Sequence, residues 1–349
     1  MKQVAVLSVA LVAALVGSYV TWTAEETEVS DDAVPIFSAS EGDLTKISWK
    51  GDEQVVIVER KKDAKGEYLW VDSTETKKPK SPTEVHPGAE EDAGEEPDPE
   101  PETPPAAPDA PPEVKKAVFM ANSQGEDIWK SFTPLKAMRE LQSAGVDPAT
   151  FGLAEPTATI EVARKSGESI VLKVGGETFG SKDRYVEHNG RIFLVDDATL
   201  RPLQFAAGRL IERSLFPLSE KETDRVDVHL ADGKTVAYVQ QNKDDAAKAF
   251  WAKAEAPDAE DETGATWIGK VFRLKLKEYA DEATITAPLE PVVSYDVTGK
   301  GETWKVEILK TSTDPVAWYA RSEYDRGLTT LTESLVRNVV DDLETLGAP

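Results

Sequence analysis

The sequence predicts an α+β protein: an N-terminal transmembrane helix followed by two repeated units of antiparallel sheet with packed helices. Three observations predict it. Leu153-Ala154-Glu155-Pro156-Thr157-Ala158-Thr159-Ile160-Glu161-Val162 is echoed roughly 135 positions later by Leu289-Glu290-Pro291-Val292-Val293-Ser294-Tyr295-Asp296-Val297, a Glu-Pro lead into an alternating strand. Ile36-Phe37, Ser40-Glu41 and Lys46-Ile47-Ser48-Trp49 recur as Leu215-Phe216, Ser219-Glu220 and Arg225-Val226-Asp227-Val228. An apolar run over residues 4–20 precedes both copies.

The 349 residues suffice for two domains with cores of ordinary size, and a hydrophobic share of 40% fits a folded chain. A net charge of −24 repels phosphate backbones and excludes nucleic acid as a partner. It suits a basic partner, divalent cations or simply a solvated acidic surface. Without cysteine there is no disulfide framework, thiolate nucleophile or Cys-ligated zinc.

Residues 1–24 form the expected anchor. Lys2 precedes the apolar run, no charge follows until Glu25, and Tyr19 and Trp22 sit where aromatic side chains meet headgroups. Glu25-Glu26-Thr27-Glu28 beyond it favours an N-in, single-pass orientation. The competing reading is a secretory signal cleaved at Val16-Gly17-Ser18; both readings place the bulk outside the cytoplasm, in the periplasm or its equivalent. Residues 25–35 are a polar tether.

The first copy covers residues 36–213. Its meander comprises residues 43–49, 55–58 and 68–71, with turns at Gly51-Asp52 and Asp63-Ala64-Lys65-Gly66. Residues 72–113, rich in Pro, Glu and Asp, bury too little apolar surface to order and read as a disordered insertion. Thr133-Pro134 reads as a helix start with Leu135, Met138 and Leu141 on one face and Gly145 as its end. Strands follow over 158–162, 170–174, 184–188 and 191–195, with Asn189-Gly190 the strongest hairpin signal in the chain. Asp196-Asp197 caps a helix carrying Leu200, Leu203, Ala207 and Leu210.

The second copy, residues 214–349, repeats the plan. Strands over 226–230 and 236–239 lead to Phe250-Trp251, matched to Leu69-Trp70, and Ile268, Val271 and Leu274 stripe the middle helix. Residues 304–308 and 316–320 are strands, and Leu331, Leu335, Val339 and Leu343 stripe the last helix.

No catalytic constellation is legible. His86, His188 and His229 have no metal-ligand partner at helical or strand spacing, and neither a nucleophile elbow nor a phosphate-cradling loop is present. No cofactor, metal site or enzymatic activity is expected. Glu155 and Glu290, both preceding the repeated Pro, are the candidate ligand or partner contacts, with strand entry as the structural alternative.

On these residues the chain resembles an uncharacterised bacterial family, domain of unknown function 4340. The resemblance rests on the short N-terminal segment, the Phe37-to-Trp49 entry, Trp70, Phe151-Gly152-Leu153-Ala154-Glu155-Pro156, and the stretch from Lys173-Val174-Gly175 to Tyr185-Val186. It implies a membrane-anchored extracytoplasmic protein associated with ABC-2-type permeases and gliding-motility-type subunits, and it brings no catalytic residues. The expected function is a non-enzymatic auxiliary or scaffold subunit of such an envelope complex. The alternatives are a free-standing binding module for a glycan or peptide and, third, a hydrolase with an unfamiliar site.

Overall fold

The computed structural model of the protein describes residues 33–77, 112–141 and 145–346. The expected anchor, most of the tether and the bulk of the acidic run (78–111) lie outside the described residues. Among the described residues no helix is long and apolar enough to cross a membrane.

The α+β expectation is corrected: the described chain is mostly β, with nineteen strands in three sheets and only short helices, the longest of 12 residues. In order, the chain runs β1 Val34–Phe37, β2 Leu44–Gly51, β3 Gln54–Asp63, β4 Gly66–Lys77, β5 Glu113–Met120, α1 Ser123–Ser131, β6 Leu135–Ala137 and β7 Arg139–Leu141. After a 3-10 turn, Pro148–Phe151, come β8 Ala158–Arg164, β9 Ser169–Glu177, β10 Arg184–His188, β11 Arg191–Val195, α2 Asp197–Gln204 and α3 Ala206–Arg209. The remainder is β12 Thr223–His229, β13 Thr235–Gln241, β14 Phe250–Lys253, α4 Glu262–Arg273, β15 Leu276–Tyr279, β16 Leu289–Gly299, β17 Glu302–Thr311, β18 Trp318–Ser322, β19 Leu328–Leu331, α5 Glu333–Val340 and α6 Leu343–Leu346.

The described residues fall into two compact units, one within Met1–Thr45 and Ile128–Arg201 and the other within Lys46–Asp127 and Pro202–Pro349. In the first, the strands run β8-β9-β10-β11-β7, all antiparallel, and β1 pairs with β6. The start of β2 lies against the end of β8, where the Thr45 hydroxyl donates to the Ala163 carbonyl at 3.2 Å. In the second unit, β2 to β5 form a meander, and eight further strands run β14-β13-β12-β16-β17-β18-β19-β15. Within the units, β2-β3-β4 keep the order of β12-β13-β14, and β8 to β11 keep the order of β16 to β19. Each set ends on a strand that follows the middle helix.

The register refines the sequence alignment by one residue. Arg60 faces Leu69, and Gln240 faces Trp251, so Trp251 fills the place of Leu69 and not of Trp70. Burial agrees, since Leu69 and Trp251 are both inside.

The helix expected from Thr133 to Gly145 is instead β6 and β7. Leu135 and Ala137 are buried while Lys136 and Met138 face out, a period of two that the three-residue spacing of Leu135, Met138 and Leu141 concealed. The helix lies earlier, at α1, where the Asn122 side chain accepts from the amides of Gln124 and Gly125. In α4, Asp261 does the same for Gly264, an Asx-x-x-Gly repeat between the copies. Ile268, Val271 and Leu274 are buried, as expected. Residues 72–77 are not disordered but continue β4, paired with β5 in a ladder that extends to Lys77 and Glu113. The Asp197 helix breaks at Phe205, which turns Ala206 inward in place of Ala207. At the carboxyl end Leu331 belongs to β19, Leu335 is exposed, and the helix buries Val336 and Val339.

Candidate functional site

Two of the segments that carry the resemblance, 151–156 and 173–186, meet in the unit containing residues 128–201. The 3-10 turn is capped by Asp147, whose carboxylate accepts from the Ala149 amide at 3.0 Å, and it ends at Gly152 with φ 67°. A Cβ on Gly152 would lie 2.7 Å from the Gly176 nitrogen, and one on Gly175 would lie 2.3 Å from the Phe151 carbonyl oxygen. The glycines therefore let two backbones touch. The Thr157 hydroxyl reaches the carbonyls of Val174 and Gly175, both at 3.1 Å, and the rings of Phe151 and Tyr185 stack edge-on at 5.0 Å. Leu153 is buried, whereas Ala154 and Glu155 point to solvent.

The β9–β10 connection in the same unit presents Phe179 with its side chain fully exposed, at 107% of the reference area. It is held by hydrogen bonds: the Thr178 amide donates to the Asp183 carbonyl (2.8 Å), the hydroxyls of Thr178 and Ser181 meet at 2.8 Å, and Ser181 donates to the Asp183 carboxylate at 2.6 Å. Asp183 itself is buried.

Of the two predicted contacts, Glu155 occupies an exposed bend before β8. Glu290 is also exposed but already sits in β16, opposite Lys310, with a bulge following at Pro291. The repeated Pro thus precedes a strand in one copy and lies within it in the other.

Two arrangements in the other unit escaped sequence reasoning. His229 Nε2 lies 3.0 Å from Asp296 and its Nδ1 lies 3.1 Å from the Thr235 hydroxyl, an Asp–His–hydroxyl chain laid across three neighbouring strands. Asp296 is 67 residues away in sequence, so no local spacing announces the pair. The chain could relay a proton, but it lies on a flat ladder with Thr235 exposed to water.

The second arrangement surrounds Asp325 in the β18–β19 loop. Asp325 is wholly buried; its Oδ1 accepts from the Tyr279 hydroxyl at 3.4 Å, while Oδ2 and the buried Tyr295 hydroxyl find no partner. Tyr324 donates to Glu212 at 3.3 Å. Burial pushes the Asp325 carboxyl up to about 7, and the Glu212 charge adds to this; the hydroxyls of Ser322 and Tyr279 and the Arg326 guanidinium pull the other way. Burial likewise raises Tyr279, Tyr295 and Tyr324. Among the described residues no group of three or more His, Cys, Asp or Glu is placed to hold a metal ion.

Gly152 and Gly175 thus serve a close backbone junction, with Ala154 and Glu155 exposed beside it. Residues 120–291 match the model of the family described as domain of unknown function (DUF4340), and through this segment the chain belongs to it. The junction and the Phe179 loop fall inside the match; the Phe37-to-Trp49 entry and Trp70 fall outside it. No curated protein and no solved structure matches the chain.

Proposed function

We propose that the protein is a non-enzymatic scaffold subunit, anchored by residues 1–24 with its bulk outside the cytoplasm, in an ABC-type export or gliding-motility-type envelope complex. One observation carries the reading: the loop bearing the fully exposed Phe179 is braced by side-chain and backbone hydrogen bonds and lies within the 173–186 stretch that carries part of the resemblance. An aromatic ring held rigidly in water is unfavourable by itself, and burying it in a partner's apolar pocket returns roughly 2–3 kcal/mol. Aromatic side chains are enriched in interfaces, and a braced loop presents one with less ordering cost on binding. The apolar run over 4–20 and the resemblance supply the anchor and the setting.

The test is affinity purification of the full-length protein from native membranes. Recovery of an ABC permease or its ATPase in stoichiometric amount supports the proposal. Recovery of the protein alone, under conditions that preserve other envelope complexes, ends it.

A further inference from the structure

We propose that the loop over residues 322–327 is a proton-operated latch, seated while Asp325 is neutral and loosened when Asp325 ionises. The inference does not depend on the scaffold role.

The loop is one place where the two copies differ. The β10–β11 hairpin turns tightly at Asn189-Gly190, both with positive φ, whereas the corresponding β18–β19 connection runs from Ser322 to Leu328. The extra residues fold inward. The Ser322 hydroxyl accepts from the amides of Tyr324 (3.1 Å) and Asp325 (2.9 Å), and the Gly327 amide donates to the Asp325 carbonyl at 2.8 Å. This turn places Arg326 on the β2–β5 meander of the same unit. Its Nε donates to Asp63 at 3.2 Å, Nη1 donates to the Tyr324 carbonyl at 2.6 Å and approaches the Met120 sulfur at 3.4 Å, and its guanidinium lies 4.6 Å from the Tyr68 ring centre. Lys65 reaches back to the Glu323 carbonyl. Trp70 stacks edge-on with both Tyr68 and Tyr279, which joins the clamp to the ring that bonds Asp325.

The groups facing Asp325 are Tyr279 from β15, Tyr295 from β16, Glu212 from the segment after α3, and Ser322, Tyr324 and Arg326 from its own loop. The only cation among them, Arg326, is already committed to Asp63. A neutral carboxyl carries its proton on the unpartnered Oδ2, where the cost is that of one unpaired hydroxyl. An ionised one leaves a dry carboxylate oxygen beside the Glu212 charge, which favours movement of the loop into water. Movement of Asp325 takes Arg326 with it, so the Asp63 and Tyr68 contacts are lost in the same event.

Hydrogen exchange of the full-length protein in mild detergent reads the latch directly. After correction for intrinsic base catalysis, opening of the 323–327 amides is expected to increase roughly 50-fold between pH 5 and 7 and to level off above pH 8. In Asp325→Asn the same amides should show no pH dependence. In Glu212→Gln, which removes the neighbouring charge and keeps Asp325, the increase should be smaller than in the natural protein. Corrected exchange that is constant from pH 5 to 8 in the natural protein, or an unchanged pH slope in either variant, would overturn the proposal.

Discussion

Gly264→Ala isolates the packing that joins the middle helix to the sheet. Gly264 is the third residue of α4, and a Cβ built there lies 2.0 Å from Tyr238 Cε1 and 2.6 Å from both Cδ1 and Cζ. Tyr238 is fully buried in β13, flanked by β12 and β14, so its ring cannot swing away without disturbing the ladder. Reaching an ordinary contact distance needs a shift of about 1.5 Å by helix or ring, and overpacking of this kind costs about 1–3 kcal/mol. The alanine returns about 1 kcal/mol of helix propensity. A clash with three atoms of a rigid ring belongs at the upper end of that range, so the expected net loss is about 2 kcal/mol. Urea unfolding followed by tryptophan fluorescence, compared at equal slope, measures it. Tyr238→Leu removes the three clashing ring atoms, so a double-mutant cycle should give a favourable coupling of about 1 kcal/mol or more. If Gly264→Ala were as stable as the natural protein, or the cycle showed no coupling, the packing account of this glycine would be wrong.

Other consequences follow from buried polar groups and from charge. Trp267→Phe deletes the buried Nε1–H that donates to the Val339 carbonyl at 2.9 Å and leaves a cavity where the second ring packed; a loss of at least about 1–3 kcal/mol in the same unfolding assay is expected. The Asp325 carboxyl is raised from 3.8 to about 7, so the folded state holds its proton more tightly than the unfolded state. The stability associated with that proton is therefore complete below pH 4 and is lost as pH rises toward 7, to a limit of about 4 kcal/mol. Against the natural protein, Asp325→Asn should show a relative stability gain over that window and a constant difference above it; parallel pH profiles would refute this. Glu222 has the opposite sign. Its hydrogen bond from Lys300, with further bonds from Ser219, lowers its carboxyl to about 2, so its contribution is present above about pH 4.5 and is lost as pH falls toward 2. Lys300→Met should return the Glu222 titration in a carboxyl NMR experiment toward its ordinary value, and an unmoved midpoint would remove Lys300 as the cause.

Strands and tight turns were legible because their signals are local. Alternation marked β2 and β8, and Asn189-Gly190 marked its hairpin from two residues alone. The 135–141 stretch was misread because Leu135, Met138 and Leu141 fit a helical face as well as a broken strand pair, and only the burial of Ala137 decides between them. The helix that does occur, α1, has few apolar residues and was missed. Its Asn122-x-x-Gly125 start, matched at Asp261-x-x-Gly264, was the available signal. Nothing in the sequence singles out Phe179, since its full exposure depends on a loop whose braces are three- and five-residue contacts. Asp325 was beyond reach: nothing near it distinguishes a solvated loop aspartate from one closed over by Tyr279, Tyr295 and an arginine bound to Asp63, 263 residues away.

The most direct measurement for the scaffold account is site-specific photocrosslinking in living cells, with a benzophenone amino acid at position 179 of the full-length chain. The account predicts a discrete adduct to an ABC permease or ATPase subunit that disappears when the probe is moved to the exposed, outward-facing position of Leu335. Adducts to lipid alone, or identical adducts from both positions, would contradict it.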